Sequence, residues 1–322
     1  MKIPIILFCY NRPNHFERVV NSIKENLPEK NNFNLFIVCD GPKNDYDHKQ
    51  KIKILNLINK INFIEKNFIE RKTNYGWKKN ISITLDDLFK RYEAVIILND
   101  DNLIKKGFFE FIDEAYKKYM YQEKVQVISG YNYPFKFPAN YEYDAYFTNR
   151  CGIASVLIKK SFWSGVSQIE KSHLHVINSK KDRELLNSSG EDNIIMFIED
   201  HLKYTESMGI WFSYFLVKKE YLCLRPKISL MENIGYDNSG MHCVQTNKYT
   251  TQIDSSIVNN FKLPDSLSIN KKIHRTLLEF LKPNLIKHLL YKLLPLYVIK
   301  MLNIYKYQNK IFKFVSLFKF KN

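Results

Sequence analysis

Ile3 to Tyr10 form a continuous apolar run, the pattern of a strand buried on both faces of a parallel sheet. Asn11-Arg12 ends the run, and Pro13 suits the first turn of a helix, along which Phe16, Val19, Val20 and Ile23 recur at helical spacing. A second buried strand, Leu35–Cys39, is closed by Asp40-Gly41-Pro42, a strong turn signal. Residues 46–60 read as a helix with Ile52, Leu55 and Ile58 on one side, and Phe63–Glu70 as a third strand. Trp77–Phe89 reads as a helix, Ala94–Leu98 as a fourth strand, Phe108–Tyr119 as a helix and Val125–Ser129 as another strand. Strands alternating with helices across short turns mean βαβ units and a mostly parallel sheet. Ligands of such sheets bind beyond the carboxyl ends of the strands. Three polar segments lie there: Asn11-Arg12, Asp40-Gly41 and Asp100-Asp101.

Beyond residue 130 the pattern is less regular. Lys171 to Gly190 is polar and reads as a loop or a poorly packed helix. From Asn270 the chain becomes Leu, Tyr, Phe and Lys, and Pro283 and Pro295 divide it into short helices. A boundary falls near residue 265.

Composition narrows the class. With 45% hydrophobic and 25% charged residues over 322 positions, the chain is globular and not disordered as a whole. Its net charge of +16 is uneven: twelve Lys or Arg and one acidic residue, Glu279, lie in 271–322, which puts +11 there and leaves +5 for the rest. Such asymmetry points to an anionic partner for the tail, an acidic membrane surface or a nucleic acid. The mildly basic body carries no evident basic groove and no nucleic-acid-binding motif, which disfavours nucleic acid. Five cysteines without CxxC spacing suit a reducing compartment. The short apolar start lacks the features of a signal peptide. No stretch reaches the roughly 18 apolar residues that a membrane span needs.

The sharpest chemistry is at Asp100-Asp101. Two carboxylates at a strand end repel one another unless a cation joins them. A hard divalent ion, Mn²⁺ or Mg²⁺, suits few carboxylates and completes its shell with water and phosphate. Arg12 carries a planar fork for bidentate partners. Asn233 to His242 is a Gly-bearing polar loop whose backbone N–H groups suit phosphate, with His242 as a candidate metal or diphosphate contact. There is no G-x-G-x-x-G after the first strand, no P-loop lysine motif, no H-E-x-x-H and no G-x-S-x-G, which argues against dinucleotide, P-loop, zincin and nucleophile-elbow chemistry.

Four blocks carry a resemblance: Pro4–Pro13, Cys39-Asp40-Gly41-Pro42-Lys43, Asn74–Ile81 and Ile97–Asp101. In this order they resemble bacterial nucleotide-sugar glycosyltransferases of the GT-A fold, similar both to the family-two enzymes of surface-polysaccharide synthesis and to the N-acetylglucosaminyltransferase that opens complex N-glycan synthesis. Leu224–Leu230 and Asn233–His242 resemble the acceptor half of the same enzymes. The resemblance implies an α/β GT-A domain over 1–265, with a nucleotide-binding half of about 1–130, an acceptor half of about 131–265 and a helical basic extension over 266–322. It implies that Arg12, Asp40 and Asn74 meet the nucleotide, that Asp100 faces its ribose or the metal, and that Asp101 is the principal ligand of Mn²⁺ or Mg²⁺. The donor it favours is a UDP-sugar, and the acceptor a glycan or a lipid-linked glycan.

Two departures stand out. Asn99-Asp100-Asp101 replaces the frequent Glu-Asp-Asp, and Val156-Leu157 follows Gly152–Ser155 where the relatives often have Thr-Trp. The relatives mostly invert the anomeric centre with a carboxylate base in a Trp-Asp pair. Here Glu206-Ser207-Met208-Gly209-Ile210-Trp211 has no Asp at that place. Glu206 is the nearest candidate base, with Asp200, Glu199, Asp192 and Glu191 as further ones. Two other readings stay open: a non-catalytic glycan- or membrane-binding relative that has lost its base, and a sugar nucleotidyltransferase, which lacks the Gly-rich basic loop it needs after the first strand. The basic, aromatic tail suits an anionic bilayer interface, and with the resemblance it implies a cytoplasmic protein peripheral on the inner face of the membrane.

Overall fold

Four parallel strands set the frame: β1 (Ile3–Cys9), β2 (Phe33–Cys39), β3 (Lys66–Glu70) and β4 (Ala94–Asn99). The structure is a computed structural model, and it describes residues 2–168, 172–237, 248–251 and 259–301. The order across the eight-stranded sheet is β3-β2-β1-β4-β8-β6-β9-β7, with β6 (Val125–Ser129), β7 (Ala145–Thr148), β8 (Val156–Lys159) and β9 (Leu222–Pro226). Only β8 and β7 run antiparallel to their neighbours. This mixed, mostly parallel sheet with helices on both faces is the α/β architecture that the strand–helix alternation predicts. A two-stranded ribbon, β5 (Asn102–Ile104) with β10 (Met231–Asn233), stands beside it.

The unbroken apolar runs have a direct cause. Successive side chains of a strand point to opposite faces, and both faces of this sheet are covered. Ile3, Ile5, Leu7 and Cys9 enter the layer shared with α1 (Pro13–Asn26), α2 (Asp45–Asn59) and α4 (Phe108–Tyr119). Ile6 and Phe8 enter the opposite layer, with α3 (Trp77–Leu88), α5 (Lys160–Gln168), α8 (Asp192–His201) and α9 (Gly209–Lys219).

Three expectations need correction. Ile52 does not face the core but is 46% exposed, because α2 turns Asp47, Lys51, Ile54 and Ile58 inward. The third strand is only Lys66–Glu70, an edge strand that pairs on one side. The polar stretch before Gly190 holds two short helices, α6 (His173–Asn178) and α7 (Lys180–Asn187), capped by Ser172 and Ser179 and with Val176, Ile177 and Leu186 buried. After residue 259 the chain packs back onto the domain. Leu263 joins the core, and α10 (Lys271–Leu281) buries Ile273, Leu277 and Leu281 against Tyr146. Two further helices follow, α11 (Leu285–Leu293) and α12 (Leu296–Met301).

Candidate functional site

The chain runs from β1 outward to β2 and β3, then returns to add β4 on the other side of β1. That reversal opens a crevice beyond the carboxyl ends of β1 and β4, the place where such sheets take ligands. Arg12 leaves β1 into it, and Asp100-Asp101 leave β4 into it. The two segments meet. Arg12 Nη2 donates to Asp100 Oδ1 and, at 2.9 Å, to Asp101 Oδ2. Burial raises the Asp100 carboxyl, Arg12 opposes that rise and Asp101 adds to it; the net direction is upward.

The turn that presents the acids is held from within. Asn102 accepts from the Asn99 backbone N–H and donates Nδ2 to Asp101 Oδ1 at 2.8 Å. The β5–β10 ribbon then brings a second loop across the acids. Ile234 N–H donates to the Asp101 carbonyl, and Gly235 N–H donates to Asn233 Oδ1. A Cβ on Gly235 would stand 2.5 Å from Asp101 Oδ2, so only glycine lets the backbone pass this close. His15 on α1 pairs with Asp237 of the same loop at 3.1 Å. The loop's continuation, with His242, lies outside the described residues.

Two adjacent buried carboxylates at the strand end suit a hard divalent ion in kind, and the buried Arg12 Nη1 beside them, without a hydrogen-bond partner among the described residues, suits an anion such as a phosphate. No group of three His, Cys, Asp or Glu able to hold a metal occurs among the described residues. Water and phosphate would therefore have to supply most of the shell, as is usual for Mg²⁺.

Asp40 and Asn74 are together, in a way the sequence did not disclose. Asp40 Oδ1 accepts from the N–H groups of Gly41 and Tyr75, and Oδ2 from Gly76 N–H and Asn74 Nδ2. Asn74 also donates to the Gly41 carbonyl. The Asp40 carboxylate is thus fully occupied in tying the end of β2 to the turn before α3. Gly41 permits this, since a Cβ there would fall 2.1 Å from the backbone of Thr73.

Glu206 lies beside the same turn, its Oε2 3.9 Å from the place a Cβ would take on Gly76. It is exposed and makes no hydrogen bond or ion pair among the described residues. Asp200, the further candidate, has a fully buried side chain and is saturated: Lys78 Nζ reaches both oxygens at 2.8 and 2.6 Å, His173 Nε2 lies at 2.6 Å, and Ser207 N–H donates at 2.8 Å. Burial pushes the Asp200 carboxyl up, but the hydrogen bonds from His173, Lys78 and the Ser207 N–H win and hold it below its ordinary value. Glu199 is bound by Lys287 and Tyr291, Asp192 by Arg150, and Glu191 lies 3.8 Å from His288. Of the five acids, Glu206 alone is exposed and without a partner among the described residues. The Lys78–Asp200–His173 cluster and the His15–Asp237 pair were not read from the sequence, where their members are far apart.

Residues 1–142 match the model of the GNT-I family, a span that carries Arg12, Asp40, Asn74, Asp100 and Asp101. Solved structures are similar at lower levels. Staphylococcus aureus TarS in complex with UDP-GlcNAc is 15% identical over 63% of this chain and 54% of its own, with a TM-score of 0.38. The mannosyltransferase PcManGT from Pyrobaculum calidifontis, in complex with GDP-Man and Mn²⁺, is 10% identical over 67% of this chain and 68% of its own, again with a TM-score of 0.38. The chain spans about half the length of the TarS chains it matches. Among curated proteins no sequence matches. The family match is confined to the half of the chain that bears the paired acids.

Proposed function

We propose that this chain is a glycosyltransferase that moves a sugar from a nucleotide-sugar donor, a UDP-sugar, to a glycan or lipid-linked acceptor, with inversion. Its setting in this reading is bacterial surface-polysaccharide synthesis at the inner face of the cytoplasmic membrane. One observation carries it: a buried acid pair, bridged by Arg12 and overlain by Gly235, at the switch point of the sheet, its acids and Arg12 inside the segment that matches the GNT-I family.

Asp101, with Asp100 beside it, would hold Mn²⁺ or Mg²⁺, which would offset the charge of the departing diphosphate. Arg12 holds the two acids in the absence of that ion and offers its unpartnered Nη1 to a phosphate or the nucleoside. Asp40 and Asn74 act through the turn they fasten, so the nucleoside meets that turn's shape and not a free Asp40 carboxylate. Glu206 takes the proton of the acceptor hydroxyl while the hydroxyl oxygen attacks the anomeric carbon and the nucleoside diphosphate leaves with the bonding pair. His242 remains a candidate contact to the metal or the diphosphate.

Calorimetric titration with UDP, GDP and CMP, with and without Mn²⁺, tests the reading beside Asp101→Asn. Tight binding of UDP that needs Mn²⁺ and is lost in the variant is expected. Binding of no nucleotide under any metal condition would sink it and leave the non-catalytic relative in its place.

A further inference from the structure

The last two described helices have two apolar sides. Inward, Tyr291 and Ile299 are buried in the core, Tyr291 Oη donates to Glu199, and Lys287 pairs with Glu199 at 2.8 Å. Outward, Leu285, Leu289, Leu293, Tyr297 and Met301 follow at steps of four residues, and their exposures run from 42% at Leu289 to 73% at Met301. Water gains nothing from such a row, and monomeric proteins rarely keep one without a partner.

The charges are sorted in the same way. The inward bases Lys287 and His288 sit beside Glu199 and Glu191. The exposed Lys282, Lys292 and Lys300 have no acidic partner among the described residues, and no Asp or Glu occurs from residue 280 to 301. An exposed apolar row fringed by unpaired lysines matches a surface that is apolar within and anionic at its edge. A second copy of this chain would bring the same positive charges against its own, which disfavours self-association through this face.

We infer that the outer face of α11 and α12 seats the protein on an anionic lipid bilayer, with the leucines and Tyr297 entering the interface and the three lysines meeting lipid phosphates. No helix among the described residues is long and apolar enough to cross a membrane, so the contact is with one leaflet. The inference gives the membrane setting proposed above its physical surface, and it does not depend on the transferase reading. It has one consequence for that reading. Glu199, which anchors α11, is followed in α8 by Asp200, which accepts from Ser207 N–H beside Glu206. The membrane face and the candidate base are thus fastened to the same turn of one helix, a position suited to an acceptor carried on a lipid.

Flotation of the full chain with vesicles of phosphatidylcholine alone, or of phosphatidylcholine with phosphatidylglycerol, tests this. The native chain should bind the anionic vesicles at least about tenfold more tightly than the neutral ones, and added salt should reverse much of that gain. Leu289→Ser with Leu293→Ser should weaken anionic binding by about tenfold or more. Lys282→Gln with Lys292→Gln and Lys300→Gln should weaken anionic binding by about tenfold or more while leaving neutral-vesicle binding unchanged. These side chains are exposed, so thermal unfolding of both variants should stay native. UDP titration of the same preparations separates this face from the nucleotide site. Failure of the native chain to bind anionic vesicles, native-like binding by both variants, or a leucine variant that changes only the oligomeric state would each overturn the inference.

Discussion

Arg12 decides how the acid pair behaves. An isolated pair of buried carboxylates is costly, and here one guanidinium answers both. Removing one partner of a buried ion pair costs about 3–5 kcal/mol because the other charge stays behind. Arg12→Ala should therefore lower stability by that order, and calorimetric melting checks it. Mn²⁺ should then raise the Tm of Arg12→Ala more than that of the native chain, since the ion takes the seat the guanidinium held. An equal rise in both would mean that Asp100 and Asp101 are not the ion's seat. Gly235→Ala tests the same place from above. Its methyl would fall 2.5 Å from Asp101 Oδ2, so the loop or the acid must shift, at about 1–3 kcal/mol by the usual cost of overpacking. Mn²⁺-dependent nucleotide binding should weaken while the far-UV spectrum stays native.

At the scale of elements, most strands and helices of the first 130 residues were legible because both sheet faces are covered and the buried strands are mostly apolar. Failures fell where a polar residue does an apolar one's work. Apolarity alone put Ile52 on the inner face of α2, yet Lys51 lies there, its stem buried and its amino group on the Arg71 carbonyl and Glu70. The α6–α7 pair was hidden by a polar composition, although Ser179 with Asp182 three residues later is a cap signal that the sequence does contain. Ser179→Ala should cost about 1 kcal/mol, read as a lower denaturation midpoint with an unchanged slope. The candidate site was legible in part. Its acids and Arg12 stand at strand ends, which a pattern can find. The Asp40 tether and the Gly235 crossing depend on contacts between segments 34 to 134 residues apart, and no local pattern encodes those.

Across the whole molecule, Asp200 joins parts that the chain order keeps separate. Lys78 comes from α3, His173 from α6, and the Ser207 N–H from the turn that carries Glu206. These three segments meet at this carboxylate, and its charge attracts Lys78. Its folded value lies below the ordinary carboxylate value. The stabilisation is therefore fully present above that ordinary value, near pH 4, and is lost as pH falls through the folded one. Asp200→Asn removes the charge at every pH, leaving Lys78 short of its partner, and should cost about 3–5 kcal/mol at neutral pH. The gap in Tm between the native chain and Asp200→Asn should be widest near neutrality and shrink on acidification below about pH 4. Because every other acid is common to both proteins, the difference isolates this one group. A gap that stays constant down to acid pH would mean that Asp200 is not the ionised tie between these segments. Loss of the tie should also free the turn bearing Glu206, so transfer to the acceptor should fall further than nucleotide binding does. A variant that lost both equally would place Asp200 in general stability and remove the link between this cluster and the acceptor side.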